Sequence, residues 1–260
     1  MSTARSSSPS RNDAANTATG RTGFTSHPDW NQTLPFAPWR LPLAQILDSA
    51  APTGTFSHSF GMETALVRGV VHDADSCAAW LRAYLFGSLV LNDALATRLA
   101  AQDLSAEQLC DLSDYLEASV MAPEARRANS AVGRRMLQIA ADGFGIPVVQ
   151  QFAELAGQRH IHPHPALVAA AVGCGLGAPW QETCGLYLYS CLTSLVQNAV
   201  RAIPLGQVAG QAVLAGLTSP VVDAVMAAEH ADEHDLGASS PLLDVYQCEH
   251  ETQLGRMFIS

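Results

Sequence analysis

Few stretches of this 260-residue chain combine residue types that could do chemistry, and the densest is Pro52-Thr53-Gly54-Thr55-Phe56-Ser57-His58-Ser59-Phe60-Gly61-Met62-Glu63. Ser57, His58 and Ser59 place hydroxyls beside an imidazole, the parts of an acyl-transfer nucleophile. Adjacent side chains, however, cannot face one another as a serine and its base must. A nucleophile elbow would also need glycines two residues either side of the serine, and Ser59 has Gly61 after it but Ser57 before it. The same residues have another use. Pro52 fixes φ and cannot donate, while Gly54 and Gly61 permit positive φ. Ser57 or Ser59 can then cap a following helix that carries Glu63 in its first turn, where the helix dipole favours an anion. On these residues alone the stretch is a capped turn between two helices, or a docking surface built on one.

Histidines offer metal chemistry in two places. His160, His162 and His164 alternate, which aligns imidazoles on a strand but splays them on a helix, and a metal would need further ligands from elsewhere. Pro163 and Pro165, interleaved with them, favour an exposed loop entering a helix. His230 and His234 have the i, i+4 spacing that sets two ligands on one helix face, without the glutamate after the first histidine that a zinc hydrolase requires. A metal-binding helical hydrolase using these clusters is one alternative reading. A generic helical scaffold is another. A phosphate-cradling P-loop is excluded, because its lysine is missing and all 14 basic residues are arginines.

Arg126, Arg127, Arg134 and Arg135 occupy several faces of one helix and are expected to pair with internal carboxylates. Arg201 lies just before Pro204-Leu205-Gly206-Gln207, where a cation suits a helix C-terminus. The formal charge of −10 opposes binding to nucleic acid or to an anionic membrane. Residues 1–40 hold four arginines against two aspartates, so the acidity is concentrated in the rest. Six cysteines without a CxxC pair read as free thiols in a reducing compartment, and Met1 to Gly23 has no signal-sequence pattern; a cytoplasmic protein is expected.

The elements that must position these residues are helices. Residues 1–38 read as a disordered leader and residues 39–239 as one all-α domain of about nine or ten helices. Leu43, Ile46 and Leu47 repeat at helical spacing, as do Cys77, Leu81, Tyr84, Leu85 and Leu89 after a cap at Asp73 or Asp75. Ser105-Ala106-Glu107-Gln108 has capping-box form, and Pro123-Glu124 opens a helix expected to end at Gly143. Ala166 to Leu176 is wholly apolar yet too short to span a bilayer, which predicts a buried helix. A long helix follows from Trp180 to Ala202, Pro204 to Gln207 breaks it, and a last helix is expected from Ser219-Pro220. Residues 240–260 are expected to be a C-terminal tail that binds a partner.

Taken in order, these motifs resemble the urease accessory protein UreF family. The resemblance rests on Pro52-x-Gly54-x-Phe56-Ser57-x-Ser59-x-Gly61-x-Glu63, Glu124-x-Arg126 with Ser130-x-x-Gly133-Arg134, His164 before the apolar helix, and Leu188-Tyr189-Ser190. It continues through Arg201-Ala202-Ile203-Pro204-Leu205-Gly206-Gln207 and His250-Glu251-Thr252-Gln253 with Arg256-Met257-Phe258-Ile259-Ser260. The resemblance implies an all-α homodimer without catalytic activity or a cofactor of its own. It implies a bridge between UreD (also called UreH) and the GTPase UreG, in a complex that delivers nickel to the urease apoprotein. The residues it assigns to partner binding are Pro52, Gly54, Phe56, Ser57, His58, Ser59, Gly61, Glu63, Arg201, Pro204, Gly206, Gln207, His250, Glu251, Arg256 and Phe258. The opening turn and the tail from Pro241 to Ser260 are expected to meet UreD, and Arg201 with the Pro204–Gln207 break to lie on the dimer face toward UreG.

Overall fold

Reciprocal side-chain caps open two of the helices. Asp73 accepts from the backbone N–H of Ser76 while Ser76 answers back to the Asp73 N–H, and Ser105 and Gln108 form the same reciprocal pair. A computed structural model describes residues 37–260 apart from 103 and 159, so all but the last two residues of the expected leader lie outside the described residues. Residues 37–260 form one unit. In order its helices are α1 (Arg40–Leu47), α2 (Met62–Val67), α3 (Ala74–Tyr84), a π-helical segment (Leu85–Ala94) and α4 (Leu95–Ala100). They continue as α5 (Ala106–Ser119), α6 (Pro123–Phe144), α7 (Pro147–Gly157), α8 (Pro165–Leu176) and α9 (Trp180–Ala202). The last are α10 (Gln207–Gly216), α11 (Thr218–His230) and α12 (Pro241–His250). No strand occurs among the described residues, and the domain is all-α as expected.

The apolar run is the centre of the body. Residues Ala166 to Ala170 of α8 are buried, and α4, α6, α7 and α9 surround the helix. Helix α6 comes close enough to the entry of α8 that a Cβ at Gly133 would lie 1.5 Å from the Pro163 carbonyl oxygen. A hydrogen at that position is what permits the contact. The stretch Gln207–His230 is long and apolar enough to cross a membrane by length and composition. Here its Val213, Leu214, Val221, Ala224 and Ala228 are buried in the body, with α11 against the π segment and α9.

Four boundaries differ from expectation. Gly143 lies inside α6, and the helix stops instead at Gly145, whose φ of 61° is the left-handed C-terminal conformation. Helix α7 stands between Gly145 and the histidine run with Pro147 at its first position, a start that the sequence reading passes over. Helix α11 begins at Thr218, so Ser219 is not its cap. The largest correction concerns the tail: residues 241–250 are helix α12, packed on α2 and α6, and the residues after it fold back onto the turn at 52–63.

Candidate functional site

The turn is built from backbone conformations that few residues accept. Gly54 at φ 85° leads into a short 3-10 turn (Thr55–Ser57); Phe60 at φ 49° and Gly61 at φ 89° then reverse the chain into α2. A Cβ on Gly61 would meet Tyr246 and Gln247 of α12 at 3.1–3.2 Å, so this glycine answers both to its φ and to a close helix. Ser59 is fully buried and its Oγ accepts from the Glu63 N–H at 3.3 Å, the capping role expected of it. The Ser57 backbone carbonyl instead accepts from the Ile259 N–H at 2.7 Å.

Glu63 is the hub. One carboxylate oxygen accepts from the Met257 N–H at 2.5 Å; the other accepts from the Phe258 N–H at 3.0 Å and lies 2.9 Å from His250 Nε2. On its far side His250 Nδ1 lies 2.8 Å from Glu124, whose other oxygen takes Arg256 at 2.6 Å. His250 thus touches both carboxyl groups, one through each ring nitrogen. The histidine side chain is 1% exposed, Glu63 6% and Glu124 14%, and polar groups so buried are tolerated only because each is hydrogen-bonded. Burial works against ionising Glu124, but the hydrogen bonds and charges of His250 and Arg256 outweigh it and hold the carboxyl below its ordinary range.

Another set of bonds closes the other end. His58 Nδ1 lies 2.9 Å from the Ser260 hydroxyl, and the Ser59 N–H donates to the Ser260 backbone carbonyl at 2.5 Å. Asn198 of α9 donates to the His58 carbonyl at 2.7 Å. Arg201 donates to the Phe56 carbonyl at 2.6 Å and to Asn198 at 2.5 Å, and its guanidinium stands 5.1 Å from the centre of the Phe258 ring. Burial holds His58 below the usual histidine pKa of 6.5. Its neutral form therefore stabilises the fold fully above about pH 6.5, and that contribution falls as the pH drops from there toward the depressed value. The stability advantage of the native chain over His58→Asn, read from urea unfolding, is expected to narrow between about pH 7.5 and 5.5.

Phe56, Ser57, His58, Ser59, Gly61, Glu63, Arg201, His250, Arg256 and Phe258 thus belong to one cluster, with Pro52 and Gly54 exposed at its edge. Glu251 joins it by accepting from the Glu124 N–H at 3.2 Å, at the start of α6. Two expectations change. Arg201 bonds to the turn and the final residues, so it does not belong to a surface apart from them. His58, Ser59, Gly61, Glu63, His250 and Phe258 are buried and offer little or no surface in this conformation. Pro204, Gly206 and Gln207 are exposed and form no hydrogen bond with the cluster. Glu124, Asn198 and Ser260 are the members missing from the expected site. Only Glu124 carries a local signal, an acid in the first turn of a helix, and that signal is fully explained by the dipole.

The other candidates do not converge. His164 is buried and caps its own helix, accepting from the Ala166 N–H at 3.3 Å, whereas exposed His162 faces Asp114 at 3.7 Å. His234 bonds Asp232 within its own turn. All six cysteines are free; burial pushes the Cys77 thiol up to about 11 and Cys184 to about 12, and Cys174 alone is exposed. Arg126, Arg127, Arg134 and Arg135 have no carboxylate within 4.0 Å among the described residues, contrary to expectation. What the cluster does chemically is hold: a buried carboxylate–imidazole–carboxylate chain fixes the last ten residues against a turn with which they share no sequence neighbourhood.

The family model described as UreF matches residues 71–218, which leaves the turn and α12 outside the match. Relatives extend over nearly their whole length. A urease accessory protein UreF of Arthrobacter sp. (strain FB24) is 40% identical over 222 residues, 85% of this chain and 97% of the relative. Those of Corynebacterium efficiens and Geobacillus kaustophilus are each 37% identical, over 85% and 84% of this chain and 96% of each relative. With more than half of the chain inside the family model and such identity over most of its length, the chain belongs to the UreF family of urease accessory proteins.

Proposed function

We propose that the chain is a non-catalytic adaptor of urease maturation that joins UreD/UreH to the GTPase UreG in the complex supplying nickel to the urease apoprotein. It works in the cytoplasm as a homodimer and influences the GTPase through contact rather than chemistry. The observation that carries this reading is a contrast within one segment. Residues 251–260 are anchored by buried bonds, yet Leu254, Met257 and Ile259 stand 96%, 59% and 65% exposed. Ordering apolar side chains in water has no return within the monomer, and a rigid apolar display lowers the entropy cost of docking. UreD/UreH is assigned to this face, and UreG to the break at exposed Pro204, Gly206 and Gln207. Leu186 and Tyr189 of α9, with Val222 and Met226 of α11, are exposed on packed helices and suit a contact between copies.

Co-expression tests the reading. Met257→Asp with Ile259→Asp is expected to abolish co-purification of UreD/UreH while leaving helicity and the urea midpoint near those of the native chain, since both positions face water. Undiminished capture would overturn the assignment. Cutting the chain after Ser239 is not an equivalent test, because it strips Glu63 and Glu124 of their partners and destabilises the body itself.

A further inference from the structure

Between the turn and α6 lies an open groove of about 470 Å³ bordered by Gly54, Ser57, His58, Arg127, Arg135 and Ile259. Its floor is small: Ala128 and Ala131 line it, so the two arginines stand as posts with a shallow track between them. Both guanidinium groups are exposed, and neither donates a hydrogen bond nor pairs with a carboxylate among the described residues. The one carboxylate bordering the groove is already used, since Glu124 holds His250 with one oxygen and Arg256 with the other. Buried His58 adds no negative charge. In a chain of net charge −10 this is a locally positive trough.

We propose that this groove docks an extended acidic segment of a partner protein, with carboxylates taken by Arg127 and Arg135; this rests on the adaptor reading above and names one of its contacts. Eight helix positions at 1.5 Å separate the posts by about 12 Å, and an extended chain covers about 13 Å in four residues. Two acids four residues apart in an extended segment therefore match the arginines, and Arg forks hold carboxylates in bidentate fashion. The small floor accepts a main chain, and Ile259 offers it an apolar edge. The chain's own leader does not complement the posts, because residues 1–40 carry more arginine than acid. Its own exposed acidic turn is engaged internally, with Asp232 on His234 and Asp235 on the Asp232 N–H.

The test uses the full chain and a fluorescein-labelled Gly-Glu-Gly-Ser-Gly-Glu-Gly peptide at low ionic strength, read by anisotropy, with a twin in which both Glu are Gln. The acidic peptide is expected to bind at least tenfold more tightly than its twin, and Arg127→Ala with Arg135→Ala to remove that difference. Arg127→Lys with Arg135→Lys should keep part of it, and salt should weaken it. Unchanged helicity of the exposed double variant shows that folding is not the cause. Equal affinity for the twin, equal binding by the alanine variant, or no binding at millimolar peptide overturns the proposal. So does sedimentation showing that the two arginines are needed for self-association, since the occupant is then another copy of this chain. Any of these outcomes leaves capture of UreD/UreH and UreG untouched, whereas loss of that capture with peptide binding intact overturns the adaptor reading alone.

Discussion

Glu63→Ala is expected to cost about 3–5 kcal/mol, the range for stripping one partner from a buried ion pair. The carboxylate is 6% exposed, accepts from the Met257 and Phe258 N–H groups and lies 2.9 Å from His250, so its loss leaves three partners unmatched at once. Each would have to reach water, and the simplest way is for residues 251–260 to lift from the turn. Trypsin should then cleave after Arg256 much faster than in the native chain, alongside a lower urea midpoint. Glu63→Gln is no rescue: an amide offers one acceptor where the site needs two, and turns an NH2 toward a donor. Adding His250→Ala to Glu63→Ala should cost less than the sum of the two changes, because the orphaned imidazole goes with it. Full additivity and unchanged proteolysis would show that the carboxylate is not the anchor.

Gly133→Ala is the other large effect, and its sign decides between two terms. In a helix interior Ala is better than Gly by up to about 1 kcal/mol. At 133, however, the added methyl would lie 1.5 Å from the Pro163 carbonyl oxygen and 2.6 Å from its carbon, and neither is the flexible end of a side chain. Overpacking against backbone costs about 3 kcal/mol, the upper part of the small-to-large range, so the clash wins and α6 must part from the entry of α8. Gly143 provides the control in the same helix. A methyl there meets nothing within 4 Å, and Gly143→Ala should stabilise by about 0.5 kcal/mol. The two urea midpoints moving in the same direction would refute this account.

Much of the fold is legible in the sequence wherever the cause is local. The capping box at Ser105, the cap at Asp73, the span Trp180–Ala202 and the buried apolar run all follow from neighbours within a few residues. Helix α12 shows where that legibility stops. Ser-Pro stands at both 219–220 and 240–241, and a helix starts within two residues of each, yet the pair at 240–241 reads as the beginning of a tail. The stability of α12 comes from α2, α6 and the Glu63–His250 bond, none of which is nearby in sequence. The site follows the same rule. The turn's proline, glycines, Ser59 and Glu63 announce themselves, and the resemblance adds His250 and Arg256. That Arg201 belongs with them, and that half of the cluster is interior, requires the path of α9.

His250 lies 187 positions beyond Glu63, and Ser260 lies 202 beyond His58. A ribosome adding about 5–20 residues per second delivers the imidazole about 10–40 s after the carboxylate it must meet. Until then the turn at 52–63 has its local bonds and, once α9 is made, those from Asn198 and Arg201, and a chain released before residue 250 can never complete it. Synthesis itself therefore times the closing of this cluster: the bonded turn exists only on molecules whose translation has run through residues 250–260.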